Sequence, residues 1–296
     1  MKKVLIVGCN GLLGQKAIIE LTQKYELCGA DLSSESIHKE ISYFRMDITD
    51  PKTVEAVIQE SEPDIIFNAS AYTAVDRAEI EKEICYAVNV VGVQNLARIC
   101  FKENIKLLHI STDYVFDGYK GNYNELDPAT PINYYGQSKL DGEKAVLDSG
   151  CEFLIGRTAV LFGYGHNIQS NFVLWVLTEL RNDNSIRVVD DQIGNPTIAD
   201  YLAYSCRELL EKEATGLFHL AGDKPISRYD LAIAVAKEFN CDPNFITRIK
   251  TSEFKQLAKR PLNVCLNVLK VQDTYGINMF SLNDSLKKLN QTMGEF

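Results

Sequence analysis

Apolar residues along this chain recur in two alternating patterns, short unbroken runs and stretches of helical spacing. Residues 4–7 form a run bounded by Gly8. In residues 12–24, Leu13, Ala17, Ile18 and Leu21 fall on one helical face. Residues 26–30, 43–46, 64–68, 106–111 and 153–157 read as further strands, and residues 79–102 and 135–148 as helices. Asp50-Pro51 marks a helix start, an N-cap acid followed by proline at the first helical position. Strands alternating with helices predict a parallel, doubly wound sheet with crossover helices. Near-continuous apolar strands fit a sheet covered on both faces. After Arg157 the pattern is less regular. Helices are expected over 168–181, 199–212, 228–239 and 282–289, strands over 186–189 and 216–220, and a loop over 190–196. The fold class is therefore α/β. Residues 1–157 form a Rossmann-type dinucleotide-binding domain. Residues 158–296 form most of a smaller, interleaved C-terminal α/β substrate domain, with later segments returning to the first sheet. No repeat or low-complexity linker separates the halves, so a cleft between them is expected.

Composition narrows the function classes. Hydrophobic content of 46% and charged content of 24% over 296 residues are ordinary for a globular protein. The net charge of −9 carries no basic stripe, which argues against a nucleic-acid partner. It leaves room for a small anionic ligand bound by a helix N-terminus and a few cations. No apolar run reads as long enough to span a bilayer, and residues 1–8 read as a buried strand rather than a signal segment. The eight cysteines make no metal-ligand spacing. They read as reduced thiols, and a cytoplasmic location without a membrane partner is expected.

Two motifs carry chemistry. Gly8-Cys-Asn-Gly11-Leu12-Leu13-Gly14 joins the first strand to the first helix. Glycines at this spacing allow a tight turn, close approach of backbone to a pyrophosphate, and close packing of helix on strand. Asp31 ends the second strand, where an acid would bond the adenosine ribose; it repels a 2′-phosphate and leans the cofactor toward NADH over NADPH. Asp47-Ile48 follows the third strand and is placed to hold the adenine. The second motif is Tyr135-Gly-Gln-Ser-Lys139. Its phenol and ammonium lie on one helical face. A nearby cation lowers a tyrosine pKa, which suits the phenol to proton transfer near neutral pH.

Together with residues 68–79, 111–118, 191–197 and 260–263, these motifs resemble extended short-chain dehydrogenase/reductases, and within them the dTDP-4-dehydrorhamnose reductase family. The resemblance implies the reduction of a 4-keto group on a dTDP-sugar by NADH or NADPH. It implies a catalytic group of Thr112, Tyr135 and Lys139, with Ser111 competing for the hydroxyl role. It implies cofactor contacts from Ala69, Ser70, Ala71, Tyr72, Asn89 and Ser111. For the substrate it implies Val75, Asp76 and Glu79 near the sugar, and Asn171, Gln192, Gly194, Pro196, Arg260 and Asn263 on the nucleotide side, with Thr112 shared. Two departures stand out. Tyr72 occupies a position often held by His, and Val160 one often held by a Trp associated with the sugar pocket, so the exact sugar stays open. No metal is implied, and either a monomer or a homodimer fits. Two other readings share the pattern: another nucleotide-sugar reductase or epimerase of this superfamily, and a non-catalytic subunit resembling the regulatory chain of methionine adenosyltransferase.

Overall fold

Runs of Val, Ile and Leu with no charged residue inside them can hide on both faces only within a covered parallel sheet. In the computed structural model, which describes residues 1–168 and 171–294, they do so. The elements of the first half are β1 (Lys3–Val7), α1 (Leu12–Leu21), β2 (Glu26–Asp31), β3 (Ser42–Arg45), α2 (Pro51–Ser61), β4 (Ile65–Asn68), α3 (Val75–Ala78), α4 (Lys82–Tyr86), α5 (Val93–Glu103), β5 (Lys106–Thr112), α6 (Tyr134–Asp148) and β6 (Phe153–Thr158). The second half adds β7 (Leu161–Phe162), α7 (Phe172–Arg181), β8 (Ile186–Val189), β9 (Ile193–Gly194), β10 (Thr197–Ile198), α8 (Ala199–Glu211), β11 (Gly216–His219), β12 (Ile226–Ser227), α9 (Arg228–Glu238), β13 (Ile246–Ile249), α10 (Leu269–Tyr275) and α11 (Leu282–Gly294).

Seven strands make one parallel sheet in the order β11-β6-β5-β4-β1-β2-β3. The order reverses between β1 and β4, and a doubly wound sheet opens its ligand crevice at such a switch point. One face is covered by α1 and α8 through Leu13, Ala17, Leu21, Leu202, Cys206 and Leu209. The other is covered by α2, α5 and α6 through Val54, Ile58, Leu96, Ile99 and Val146. A buried ion pair, Lys16 to Asp200 at 3.1 Å, ties α1 to α8. A second core gathers α7, α9, α11, β8 and β13 around Val176, Leu180, Val188, Leu231 and Leu289.

Several expectations need correction. The helix foreseen over 79–102 begins at Lys82 and carries a π-helical turn at Ala87–Gly92. The wider turn has packing reasons: a Cβ on Gly92 would sit 2.5 Å from Ile48 Cδ1, and one on Gly142 of α6 would sit 2.4 Å from Asn89 O. The combined helical run Lys82–Glu103, 22 residues, is long and apolar enough to cross a membrane by length and composition, contrary to the reading from sequence; half of its most apolar stretch is buried in the fold. The helix expected from 168 starts at Phe172, where Asn171 Oδ1 accepts from Leu174 N at 3.1 Å; residues 169 and 170 of that expectation lie outside the described residues. The strand β13 and helix α10 were not foreseen, being short and weakly periodic.

Near the carboxyl ends of β5 and β6 lies a buried polar cluster. Arg157 of β6 donates to Glu143 of α6 through Nε (2.9 Å) and Nη2 (2.7 Å), and the Ser111 hydroxyl of β5 donates to the same carboxylate. Arg157 also stacks its guanidinium 5.1 Å from the centre of the Phe116 ring. Removing one member of a buried pair leaves the other charge uncompensated. Glu143→Ala is therefore expected to destabilise the fold by about 3–5 kcal/mol, read as a lowered urea midpoint with the slope of the transition unchanged.

Candidate active site

The first helix opens without a side-chain cap, because its N-cap is Gly11. Its first amides are left for an outside acceptor, as an anion-binding helix start requires. The turn before it is tight. A Cβ on Gly14 would lie 2.2 Å from Gly8 O, and Gly8, at φ +79°, would bring one to 2.8 Å from Ser70 N. Only glycine fits either place, so the donor set and the shape both suit a pyrophosphate. Asp31 stands beside this turn, its carboxylate accepting from Asn10 N (3.0 Å) and Leu32 N (2.8 Å). Asp47 accepts from both the amide and the hydroxyl of Thr49, at 2.9 and 2.7 Å. The Ile48 side chain is buried against Gly92, so the main chain is what that residue can present to a base.

A cleft of about 670 Å³ runs from this turn across the sheet's edge. Gly11, Leu12 and Leu13 line one end; Ala69, Ala71, Ser111, Thr112, Tyr135 and Lys139 line its length, with Asn171 opposite. The β5 end supplies Thr112, while α6 brings Tyr135 and Lys139 to the same wall. Asn133 starts that helix by accepting from Gly136 N at 2.8 Å, and Gly136 packs so closely that a Cβ would meet Tyr114 O at 2.2 Å. Tyr134 lies at the helix entry, its amide donating to Glu79 Oε1 at 2.8 Å. Asn89 holds the main chain of Tyr72 from both sides, accepting from its N at 2.9 Å and donating to its O at 3.0 Å, and also donates to Ser138 Oγ. Ser111 cannot share the triad role on equal terms with Thr112, because its hydroxyl is committed to Glu143.

A second cleft of about 660 Å³ continues from the first; both are lined by Thr73, Val75, Tyr114, Phe172 and Arg228. Val75, Asp76, Gln192 and Arg260 line the second. Arg260 donates to Asp76 Oδ2 at 2.8 Å. Gln192 donates to Thr251 Oγ1 (3.1 Å) and Gln256 Oε1 (2.9 Å). Arg77, Arg187, Arg228 and Arg260 line it beside Asp76; Arg77 is paired with Glu81 and Arg187 with Glu253, and Trp175 and Phe254 add exposed aromatic surface. That composition suits a ligand with phosphates and a flat base.

Four expected substrate residues lie outside both clefts. Asn263 faces Gly121 and lines a separate cavity, because its backbone is fixed by a bond from its N to Gly118 O at 3.1 Å. Pro196 is buried, with its carbonyl against Gly222. Glu79 is spent on the start of α6. Gly194 borders a small adjoining cavity with Asp113, Val160 and Arg228. Sequence reasoning missed Asp113, Tyr114, Phe172 and Arg228, all of which line the cleft. Asp113 and Tyr114 directly follow Thr112 and were within reach of the motif; Arg228 had no local signal.

The electrostatics also depart from expectation. Burial pushes the Tyr135 phenol well above its ordinary value, with a hydrogen bond to Thr112 working the other way. The lowering that its spacing from Lys139 predicts is not found: desolvation dominates, and the Coulombic influences on the phenol come from Asp113, Tyr114 and Cys85. Lys139 is itself buried; desolvation pulls it down from 10.5 to about 8, against the pull of Glu143. Its Nζ donates to Ile110 O at 2.7 Å.

A glycine turn on β1, a Thr-Tyr-Lys group at the edge of a parallel sheet, and a contiguous second cleft define an extended short-chain dehydrogenase/reductase. A family model described as the RmlD substrate binding domain matches residues 1–294. A dTDP-4-dehydrorhamnose reductase from Aggregatibacter actinomycetemcomitans is 37% identical over 98% of each chain. A probable low-salt glycan biosynthesis reductase from Haloferax volcanii is 31% identical, again over 98% of each. The crystal structure of the Bacillus anthracis dTDP-4-dehydrorhamnose reductase in complex with NADP superposes with a TM-score of 0.90 at 32% identity, covering 99% of this chain and 100% of that one. The chain belongs to the dTDP-4-dehydrorhamnose reductase family.

The buried ammonium gives a stability prediction. Below pH 8 Lys139 is charged in both folded and unfolded chains, and burial costs the folded form up to about 3 kcal/mol. Between about 8 and 10.5 the folded protein sheds this proton first, so the cost fades as pH rises. Lys139→Met is expected to raise the urea midpoint at pH 7 and to lose that advantage by pH 10.5.

Proposed function

We propose that this enzyme reduces the 4-keto group of dTDP-4-dehydro-L-rhamnose with NAD(P)H, giving dTDP-L-rhamnose in the cytoplasm. The observation that carries the reading is the continuity of two clefts, one with Thr112, Tyr135 and Lys139 on its wall, the other rich in arginine. In this reading residues 1–157 serve the cofactor and residues 158–296 mostly serve the substrate. The fit of the glycine turn to a pyrophosphate supports a dinucleotide there, and the acid Asp31 favours NADH, although the Bacillus anthracis relative was crystallised with NADP. The free cysteines, mostly buried, suit a reducing compartment.

Bound NAD(P)H supplies the hydride. The protein's part is to hold the ketone and manage one proton. Thr112 and Tyr135 donate hydrogen bonds to the ketone oxygen as negative charge gathers on it. Tyr135 then gives up its proton to that oxygen. A phenol raised by burial holds this proton firmly until an alkoxide, a far stronger base, is in place. The Lys139 ammonium stabilises the tyrosinate left behind and is placed to bind the cofactor ribose. Asn89 positions the cleft floor through Tyr72 rather than touching the reacting atoms.

Val160 in the position often held by Trp, together with the full-length likeness to the Haloferax volcanii reductase, supports a second reading in which a different 4-keto sugar nucleotide is reduced. Coenzyme oxidation measured with dTDP-4-dehydro-6-deoxyhexoses and with their UDP and GDP analogues separates the two; the expected result is turnover with the dTDP compound and one coenzyme consumed per product. Turnover with none of them overturns the proposal. Tyr135→Phe is expected to lower kcat by roughly 10²–10⁴-fold while the Kd for NADH moves by less than about threefold. Near-normal turnover in that variant would remove Tyr135 from the mechanism.

A further inference from the structure

Gln15 stands on the first turn of α1, directly after Gly14, and is 5% exposed. Glutamine is seldom buried so deeply unless its amide is bonded. Here both amide protons and the carbonyl are used. Nε2 donates to Asn10 O at 2.8 Å and to His166 O at 2.9 Å, and Oε1 accepts from His166 N at 2.9 Å. One side chain thus joins the glycine turn to a segment 151 residues further along the chain.

The anchor on the turn side is itself fixed. Asn10 N donates to Asp31 Oδ2 at 3.0 Å, and the Asn10 side chain bonds Glu35 O (3.0 Å) and Ile37 N (3.2 Å). On the other side, residues 163–168 follow β7 and sit close. A Cβ on Gly165 would stand 2.7 Å from Gln15 Oε1, and one on Gly163 would stand 3.3 Å from Leu12 Cδ1. Asn171 Nδ2 ties the start of the segment, donating to Gly163 O at 2.8 Å. Asn167 and Ile168, next to His166, line the main cleft together with Gly11, Leu12 and Leu13. The cleft therefore has two walls at this end, drawn from opposite halves of the chain, and Gln15 spans them from outside the cleft.

We propose that Gln15 is a positioning residue for the dinucleotide: it clamps segment 163–168 to the glycine turn, fixes the spacing of the two walls around the pyrophosphate, and so sets how long the cofactor stays bound. The inference rests on the dinucleotide reading of the cleft and not on the identity of the sugar. Amides at a helix start hold an anion from one side only. A second wall that is already in place need not be ordered when the cofactor arrives, and it obstructs departure. A neutral amide suits the clamp, since a charge at this point would itself change the affinity for an anion. The effect of Gln15 passes through the walls, not through contact with the reacting atoms.

The test follows release of NADH from its binary complex by stopped-flow fluorescence in the wild type, Gln15→Met, Gly165→Ala and the double variant. The urea midpoint of each cofactor-free protein reports on the fold. Gln15→Met keeps the length of the side chain and removes all three bonds. It is expected to raise koff by roughly 5–30-fold. Gly165→Ala drives the amide from its seat from the other side and is expected to raise koff as well. Because both changes open one clamp, the double variant should stay within about twofold of Gln15→Met. Two results overturn the proposal. One is a Gln15→Met koff within about twofold of the wild type, whatever the urea midpoint does, as a purely structural role would give. The other is a double variant whose koff is the product of the two separate increases. If Gln15→Met does not fold, Gly165→Ala decides: a raised koff supports the clamp and an unchanged one removes it. A wild type that binds neither NADH nor NADPH removes the dinucleotide reading, and this inference falls with it.

Discussion

The registry between β5 and α6 is the constraint on which the site depends. Thr112 sits at the end of a strand, and Tyr135 and Lys139 sit on a helix that packs across it. Their relation is fixed by burial and by two polar ties, Lys139 Nζ donating to Ile110 O of β5 and the Glu143 carboxylate held between Ser111 of β5 and Arg157 of β6. Glu143 lies one helical turn beyond Lys139, so the tie acts close to the reacting groups. An apolar contact there would allow the helix to slide; a carboxylate bonded to a guanidinium fork and a hydroxyl has one good geometry. The same charge opposes the desolvation of Lys139. The cluster thus serves position and protonation together.

A second constraint works through absence of atoms. Gly14 lets α1 settle on the β1 turn, Gly136 lets α6 reach Tyr114, and Gly142 lets α6 reach the π-helical turn. At each of these places a methyl group would meet main-chain oxygen at 2.2–2.4 Å. Backbone cannot step aside as a long side chain can, so helix and sheet approach each other only through glycine. This closeness keeps Asn89 within reach of Tyr72 and Ser138, and it brings the uncapped start of α1 to the crevice.

What sequence made legible follows from these physical differences. Strand and helix patterns in the first half arise from local periodicity, and most ends fall within one to three residues of those expected. The glycine turn, Thr112, Tyr135 and Lys139 were legible because each has a local spacing with a chemical reason. Asn263 and Pro196 were misplaced for the opposite reason: segments 191–197 and 260–263 show that a loop is present, but not which side chain the tertiary structure turns inward. Arg228 is the clearest omission. It opens α9, far along the chain from Thr112, yet it lines both clefts and touches the electrostatics of Asp113 and Tyr114. Only the packing of α9 beside the sheet's edge brings it there. The raised acidity constant of Tyr135 was likewise hidden, since an i, i+4 ammonium is visible in sequence and full burial is not.

An acidic chain with a net charge of −9 has to attract an anionic substrate locally. Four arginines line the second cleft; Arg77 and Arg187 are exposed and paired with Glu81 and Glu253, which leaves Arg228 and Arg260 as its less exposed cations. Selectivity for the sugar then falls to groups deeper in, where charge alone cannot discriminate. Val160 bears on this through its backbone. It is a β-branched residue at φ +47°, a conformation costing on the order of 1–3 kcal/mol, and it borders both the cleft and the small cavity beside Asp113. Such strain persists only where the surroundings impose it, here through Thr197 N donating to Val160 O at 3.3 Å and the pairing of β7 with β10. The pocket wall is therefore set by the strained main chain. A short side chain at this point keeps bulk out of the place where the main cleft and the small cavity meet.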